Sequence, residues 1–252
     1  VCNIYDTSKD FVKITSFTKH DNLTMGVSFL DNSRAVSCGG NNFPIYIWDA
    51  RTGEVIRQIT GDGRRIWSIG IKGNEIAWGS EWKGGDTHTN STVLAKSINR
   101  DTGEIKNIEG VEDFKRISTS YGEYSLEHAA GGNYGKEDAS LVIKKKGKET
   151  TRITRDATDG YRHRTYGFTS EGVIISGGAN GYLAAYNTGG EKIASFIGHS
   201  GEVWSIALDG DTLVSGSADQ TIKVWNLKEL KEGKTEIYPV VSIFVSKDNE
   251  WV

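Results

Sequence analysis

Three residues in the C-terminal third of the chain have the side-chain types of a hydrolase triad: His199, Ser215 and Asp219. Such a triad needs a nucleophile, a base that removes its proton and a carboxylate that orients the base. The same types recur at His20 and Ser37, and a single active site would not be repeated in this way. Buried polar groups that hydrogen-bond to one another explain the repetition. The sequence therefore predicts a structural role for these residues and no catalytic residue.

Other residue types that carry chemistry lack the setting that their chemistry needs. Cys2 and Cys38 lie in strand-like runs, without the loop and partner histidine of a catalytic thiol, so we expect buried, inert thiols. No histidine is paired with cysteine or carboxylate at the spacing of a metal site. The Gly-rich stretches at 39–42, 84–86 and 131–133 precede no helical pattern, so they are predicted to be turns and not phosphate-binding loops. We expect neither a metal nor a cofactor.

The chain repeats at a period of roughly 40 to 50 residues, which is typical of four-stranded propeller blades. The clearest unit runs from Gly198-His199 through residues 203–206 and 213–217 to Trp225-Asn226. Within each unit, short alternating runs rich in β-branched and aromatic residues are separated by Gly, Asn and Asp, which indicates strands and turns. A four-stranded sheet cannot bury both faces alone, so such units stack radially. The sequence therefore predicts an all-β propeller.

These residues resemble the WD-repeat family along nearly the whole chain, and Trp48-Asp49 is the signature dipeptide of that family. The resemblance implies a hydrogen-bonded set in each blade: a His before the first strand, a Ser or Thr in the second, an Asp in the next turn and a Trp in the third. In this sequence the set corresponds to His199, Ser215, Asp219 and Trp225 in the last full unit, and to His20, Ser37 and Trp48 in the first.

The set is incomplete in the other units. Asn41 or Asn42 stands near the Asp position of the first unit. The unit around Ser176 has Asn180 and Tyr186 in place of Asp and Trp, and no His at the expected point. Packing must therefore supply most of the stability in the units that have lost the set.

About five complete blades are expected, with partial blades at both ends, in an open arc or as part of a larger ring. Both ends lie in strand-like runs, so we expect a segment of a longer protein. The predicted divisions are the end of a preceding blade at 1–18, blades at 19–60, 61–109, 110–155, 156–198 and 199–246, and the start of a further strand at 247–252.

A narrower resemblance concerns residues 65–69, 76–79, 113–116, 201–204 and 242–252, which look like bacterial multidomain WD-repeat proteins. Many of those proteins carry a caspase-like peptidase domain elsewhere in the chain. The resemblance implies that this segment is a recognition or regulatory module of such a protein, beside other domains of the same parent chain.

Arginine and aromatic residues gather just before the first strands of successive units, and both types are enriched in binding hot spots. In the resembled family these loops line the top face around the central channel. The loop at 82–92 is long for a blade turn, and such length often carries function. The candidate binding residues are Arg64, Arg65, Trp67, Trp82, Arg116, Arg162, Arg164 and Trp204.

A peptide or protein segment with acidic character is the expected ligand of this surface, because guanidinium groups bind both oxygens of a carboxylate. Three alternatives stay open at this point. The residues are ordinary surface charges with buried rings, or they hold a small anionic ligand in the channel, or the channel mouth belongs to a propeller-type enzyme.

Composition narrows the class of protein and of partner. Hydrophobic residues make up 37% and charged residues 25%, which is typical of a globular domain and excludes disorder. The formal net charge of −3 argues against nucleic acid as a partner. The chain has no apolar run long enough to cross a bilayer, and two cysteines fit a reducing compartment. We therefore expect a cytoplasmic, non-enzymatic scaffold with protein partners.

Overall fold

Strands form nearly all the regular structure in the computed structural model, which confirms the predicted all-β class. It describes residues 1–40, 43–61, 63–81, 94–109, 113–129, 140–155 and 162–246. Two compact units are present, Val1–Gly63 and Arg64–Val252. Among the described residues, five sheets have at least four strands, in agreement with about five predicted blades.

The first unit contains a two-stranded and a four-stranded antiparallel sheet. Its strands are β1 (Cys2–Asp6), β2 (Val12–Phe17), β3 (Thr24–Phe29), β4 (Arg34–Gly39), β5 (Ile45–Asp49) and β6 (Val55–Ile59), with a 3-10 turn at Thr7–Lys9. Its core forms where β2 packs on β5: the rings of Phe17 and Trp48 are stacked with their centroids 4.7 Å apart. Trp48 is fully buried, and burying a side chain of this size is a main source of stability.

The second unit contains four sheets, each built mainly from strands that follow one another in the chain. The first sheet has β7 (Ser68–Lys72), β8 (Glu75–Gly79), β9 (Lys96–Asn99) and β10 (Ile105–Asn107), and the second has β11 (Ser120–Tyr121), β12 (Tyr124–His128), β13 (Ser140–Lys145) and β14 (Lys148–Thr154). The third has β15 (Thr165–Phe168), β16 (Ile174–Gly177), β17 (Leu183–Tyr186) and β18 (Lys192–Phe196), with a 3-10 turn at Ala179–Gly181, and the fourth begins with β19 (Val203–Asp209), β20 (Thr212–Ser217) and β21 (Thr221–Asn226).

An insertion after β21 joins the last two sheets. It contains the short helix α1 (Lys228–Lys231) and β22 (Glu236–Ile237), and it leads to β23 (Val241–Phe244), which completes the fourth sheet. Strand β22 instead pairs in parallel with β18 and adds a fifth strand to the third sheet. Because Ile237 is fully buried there, the insertion fastens one sheet to its neighbour.

Within the second unit, backbone hydrogen bonds link each sheet, or the segment that leads into it, to the next sheet, and the segment before the first sheet bonds to the fourth. Backbone hydrogen bonds join Ile71 to Lys115 and Phe168 to Ser118. The Val203 amide donates to the Gly178 carbonyl at 2.9 Å, which links the third and fourth sheets.

The contact that closes this circuit lies between the fourth and first sheets. The Ile66 amide donates to the Ser217 carbonyl at 3.0 Å, and the Ile69 amide donates to Ser205 Oγ at 3.1 Å. Apolar residues of both sheets, including Ile71 and Val214, form one buried cluster beneath these bonds. The predicted blade divisions, and the open arc or larger ring predicted for the whole chain, stay predictions.

Candidate functional site

The residues that resemble a hydrolase triad form a buried chain of hydrogen bonds in the fourth sheet. His199 contacts Asp219 Oδ2 through Nδ1 at 2.8 Å and Ser215 Oγ through Nε2 at 2.7 Å. The indole Nε1 of Trp225 donates to the same Ser215 oxygen at 2.8 Å. One tautomer satisfies all three bonds: His199 Nδ1–H donates to the carboxylate, and Ser215 donates to Nε2.

Burial determines what this set can do. The side chains of His199 and Ser215 are shielded from solvent, so a substrate carbonyl cannot approach Ser215 Oγ. Burial lowers the pKa of His199, against the opposite effect of Asp219. Burial would raise the pKa of Asp219, but hydrogen bonds from His199, Thr221 and the Ser200 amide outweigh it and lower that pKa. The arrangement holds strands together and offers no access for an acyl group.

A shorter version of this set lies in the first unit. His20 Nε2 is 2.8 Å from Ser37 Oγ, and the Trp48 indole donates to the same oxygen at 3.1 Å. Asn41 and Asn42, near the expected Asp position, lie outside the described residues. Ser37 therefore joins its His and Trp in the same way as Ser215.

The third sheet contains a histidine contact that the sequence reading missed. His163 Nδ1 is 2.7 Å from Ser176 Oγ, and its Nε2 donates to the Ile153 carbonyl at 2.9 Å. His163 comes only two residues before β15, whereas His199 comes four residues before β19. The usable signal was a histidine just before a first strand, together with a serine in the second strand.

Four of the candidate binding residues are joined by ring and guanidinium contacts; we call them the Arg–Trp cluster: Arg65, Trp67, Trp204 and Arg164. The Trp67 and Trp204 ring centroids are 4.5 Å apart. The Arg65 guanidinium carbon is 6.0 Å from the Trp67 centroid, and that of Arg164 is 5.0 Å from the Trp204 centroid. Both arginines are thus within cation–π range of the indole pair.

The cluster arises where β7 and β19 lie side by side. Trp67 comes directly before β7, and Trp204 is the second residue of β19. The register of β19 against β20 shifts between Val203 and Ser205, so Trp204 has no ladder partner. Such a bulge re-aims a side chain, and Trp204 is half-buried although Val203 and Ser205 are buried.

A carboxylate already contacts one end of the cluster. Arg164 Nε donates to Glu202 Oε1 at 2.5 Å, and both side chains remain partly exposed. This pair shows that the Arg164 guanidinium can hold a carboxylate while it lies over the Trp204 ring.

Three of the four remaining candidate binding residues lie in the described ranges, and one does not. Arg64, Arg116 and Arg162 are partly buried, and their convergence with the cluster stays a prediction. Burial lowers the pKa of Arg116. The Arg162 carbonyl accepts a hydrogen bond from Arg155. Trp82 lies outside the described residues.

Within the described ranges, no group of three or more His, Cys, Asp or Glu side chains could hold a metal ion. Both cysteines are free thiols, with Cys2 buried and Cys38 half-buried. No helix in the described part is long and apolar enough to cross a membrane.

A match to a known protein family covers β18 and the first three strands of the fourth sheet. Residues 190–226 match the family model described as "WD domain, G-beta repeat". The chain contains a WD repeat. This repeat extends from β18 through β21 and includes the bonded set of His199, Ser215, Asp219 and Trp225, so the predicted WD-repeat resemblance is confirmed for this stretch.

Several curated proteins are similar in sequence to parts of this chain. Eukaryotic translation initiation factor 3 subunit I of Debaryomyces hansenii is 36% identical over 89 residues, which cover 33% of this chain and 26% of that protein. The same subunit of Candida glabrata is 50% identical over 44 residues, or 17% and 13% of the two chains. Ribosome biogenesis protein YTM1 of Kluyveromyces lactis is 35% identical over 92 residues, or 30% and 21%. The matched stretches thus span about a quarter or less of these relatives.

Among solved structures, the computationally designed Ika8 protein is similar with a TM-score of 0.39 and 16% identity. The overlap covers 94% of this chain and 98% of the designed chain. A similarity of this strength carries no conclusion about function.

Proposed function

We propose that this chain is a non-catalytic protein-interaction scaffold whose Arg–Trp cluster binds an acidic peptide or protein segment. One observation carries the proposal: Arg65 and Arg164 flank the contacting Trp67 and Trp204 rings, which are tilted by 42° where two neighbouring sheets meet. The names of two similar proteins support an interaction role, since they describe a subunit of a translation initiation factor.

The cluster combines the two kinds of contact that a small interface needs. The half-buried Trp204 ring offers rigid apolar surface of the kind found in binding hot spots, and the buried Trp67 ring packs against it from the inside. The guanidinium groups can bind both oxygens of a carboxylate, and Arg164 already donates one hydrogen bond to Glu202. The chain is slightly acidic overall, so cationic groups gathered at one place would steer an acidic partner toward it.

The wider surface and the cellular setting belong to the same proposal. Arg64, Trp82, Arg116 and Arg162 would extend the site around the cluster. We expect a cytoplasmic location and no activity of its own. A small anionic ligand in a central channel is the second candidate, because the same arginines would serve it.

We also propose that this segment belongs to a larger bacterial protein that carries a caspase-like peptidase domain. It depends on the resemblance of residues 65–69, 201–204 and 242–252, while the similar curated proteins reported above are eukaryotic. Sequencing the parent gene on both sides of this segment tests it. A neighbouring caspase-like domain would support the regulatory role, and an unrelated neighbour would contradict it.

A panel of eight-residue peptides with glutamates around a central leucine tests the binding site. We expect saturable binding, measured by fluorescence anisotropy, that weakens about tenfold or more in the variant with Arg65→Ala and Arg164→Ala. The variant with Arg51→Ala and Arg57→Ala is the charge-matched control, because both arginines lie exposed in the first unit. Unchanged affinity in the double variant would show that this surface is the wrong one.

Peptide length separates the two candidates. A peptide ligand should lose affinity when it is shortened from eight residues to two, because it loses apolar contacts with the indole rings. A small-anion site would bind free glutamate as well as the octapeptide, and that result would overturn the peptide reading.

A further inference from the structure

A second surface with a consistent charge lies between the second and third sheets of the second unit. It is a groove of about 600 Å³ between β14 on one wall and β17 and β18 on the other. Its lining includes Arg152, Thr154, Tyr182, Tyr186, Gly190 and Lys192, and none of the described residues that line it is acidic. The groove is therefore cationic although the whole chain has a net charge of −3.

Beneath this groove lies a buried cation whose contacts are carbonyl and tyrosine groups. Arg155 is 2% exposed, and it donates to the Arg162 carbonyl at 2.9 Å and to the Ser176 carbonyl at 2.8 Å. Its guanidinium carbon is 4.3 Å from the Tyr182 ring centroid. Its Nε is buried without a hydrogen-bond partner, and no carboxylate in the described residues pairs with it. The charge of Arg155 thus remains uncompensated in a medium of low dielectric constant.

The position of this guanidinium depends on a glycine. A Cβ added at Gly178 would lie 2.4 Å from Arg155 Nη1 and 1.8 Å from the Arg162 carbonyl oxygen. Because glycine has no side chain, Gly178 leaves this space free for the Arg155 guanidinium under the groove.

Tyr182 connects the buried cation to the open groove. Lys192 Nζ is 5.6 Å from its ring centroid, so Tyr182 lies within cation–π range of both Lys192 and Arg155. Burial raises the pKa of Tyr186 to about 12, so its hydroxyl stays protonated and can donate a hydrogen bond. Arg152 forms two bonds to Glu149, at 2.6 and 2.9 Å, and that pair is neutral. In the described part of the chain, no carboxylate pairs with Lys192 or Arg155, so two positive charges remain at this place.

We propose that this groove binds a phosphate-class dianion, either as a free small phosphate or as a phosphorylated side chain of a peptide. Two uncompensated cations match the charge of a dianion, and the tyrosine hydroxyls can donate to its oxygens. Lys192 contacts the ligand as a point charge from the exposed wall of the groove. Arg155 acts from below through its field, because its buried guanidinium does not reach the groove surface.

Isothermal titration calorimetry with three probes tests the proposal: inorganic phosphate, a phosphoserine pentapeptide and the same pentapeptide with glutamate in place of phosphoserine. We expect a phosphorylated probe to bind, and the affinity to fall about tenfold in Lys192→Gln. Binding of inorganic phosphate equal to that of the phosphopeptide identifies a free phosphate ligand, and preference for the phosphopeptide identifies a peptide ligand.

Matched variants keep the result interpretable. Lys148→Gln removes the same charge from an exposed position at the start of β14 and should leave affinity unchanged. Tyr186→Phe should weaken binding, with circular dichroism confirming that each variant is folded. Equal affinity for the glutamate pentapeptide, or equal losses in Lys192→Gln and Lys148→Gln, would overturn the proposal. So would the absence of binding by both phosphorylated probes.

Discussion

The indole ring of Trp67 lies against that of Trp204, with 4.5 Å between their centroids, although the two residues are far apart in the second unit's sequence. Trp67 directly precedes β7 of the first of the four sheets, and Trp204 lies on β19 of the last. Their contact therefore reports directly on the junction between β7 and β19.

A double-mutant cycle measures the energy of this contact. We expect Trp67→Leu and Trp204→Leu to be coupled by about 0.5–1.5 kcal/mol, because each single change already removes the ring-to-ring contact. Urea unfolding of the four proteins gives the coupling. Strictly additive losses would mean that the rings do not stabilise each other.

The buried set around Ser215 should be sensitive to the loss of one member. Asp219→Ala removes the acceptor of His199 Nδ1, of the Ser200 amide and of the Thr221 hydroxyl. Leaving buried donors unsatisfied should lower the free energy of unfolding by about 1–3 kcal/mol. Thermal and urea denaturation measure it, with Asp211→Ala as control, because Asp211 forms an ion pair at the surface with Lys231. A loss no greater than in the control would contradict the role of Asp219.

The lowered pKa of His199 makes a prediction about acid sensitivity. Just below the unfolded histidine pKa of about 6.5, the unfolded chain binds more protons than the folded protein does. This contribution to stability is complete above that pH and is lost as the pH falls toward the folded pKa. We therefore expect the free energy of unfolding to fall between about pH 7.5 and about pH 5.5.

The variant His199→Gln should show a smaller fall over the same range. Some fall should persist, because burial also lowers the pKa of His20. Urea titrations at the two pH values give both slopes. Equal slopes for the variant and the parent protein would rule out His199 as the titrating group.

The substitution Gly216→Ala tests the packing between the fourth sheet and the first. A Cβ there would lie 2.4 Å from Ile66 Cγ2 and 2.8 Å from Ile69 Cγ1. Gly216→Ala should therefore overpack the interface and cost about 1–3 kcal/mol in chemical denaturation. Gly61→Ala is the matched control, because a Cβ at Gly61 meets no heavy atom within 4 Å. Equal stability of the two variants would show that the sheets do not pack as described.

Several features of this protein follow from the sequence alone. Short runs rich in β-branched and aromatic residues predict strands, and the turn residues determine where strands end, so repeated sheets were predictable. The hydrogen-bonded set of His199, Ser215, Asp219 and Trp225 was implied by the resemblance to WD repeats, and all four residues lie within one repeat.

Tertiary structure alone decided the contacts between sheets. No spacing in the sequence indicates that β22 joins β18 of the neighbouring sheet or that Arg155 lies under Tyr182. His163 escaped prediction for a related reason, since its second bond goes to the Ile153 carbonyl of the preceding sheet. Such contacts depend on which strands become neighbours when the sheets pack. The local periodicity of the sequence does not determine which strands those are.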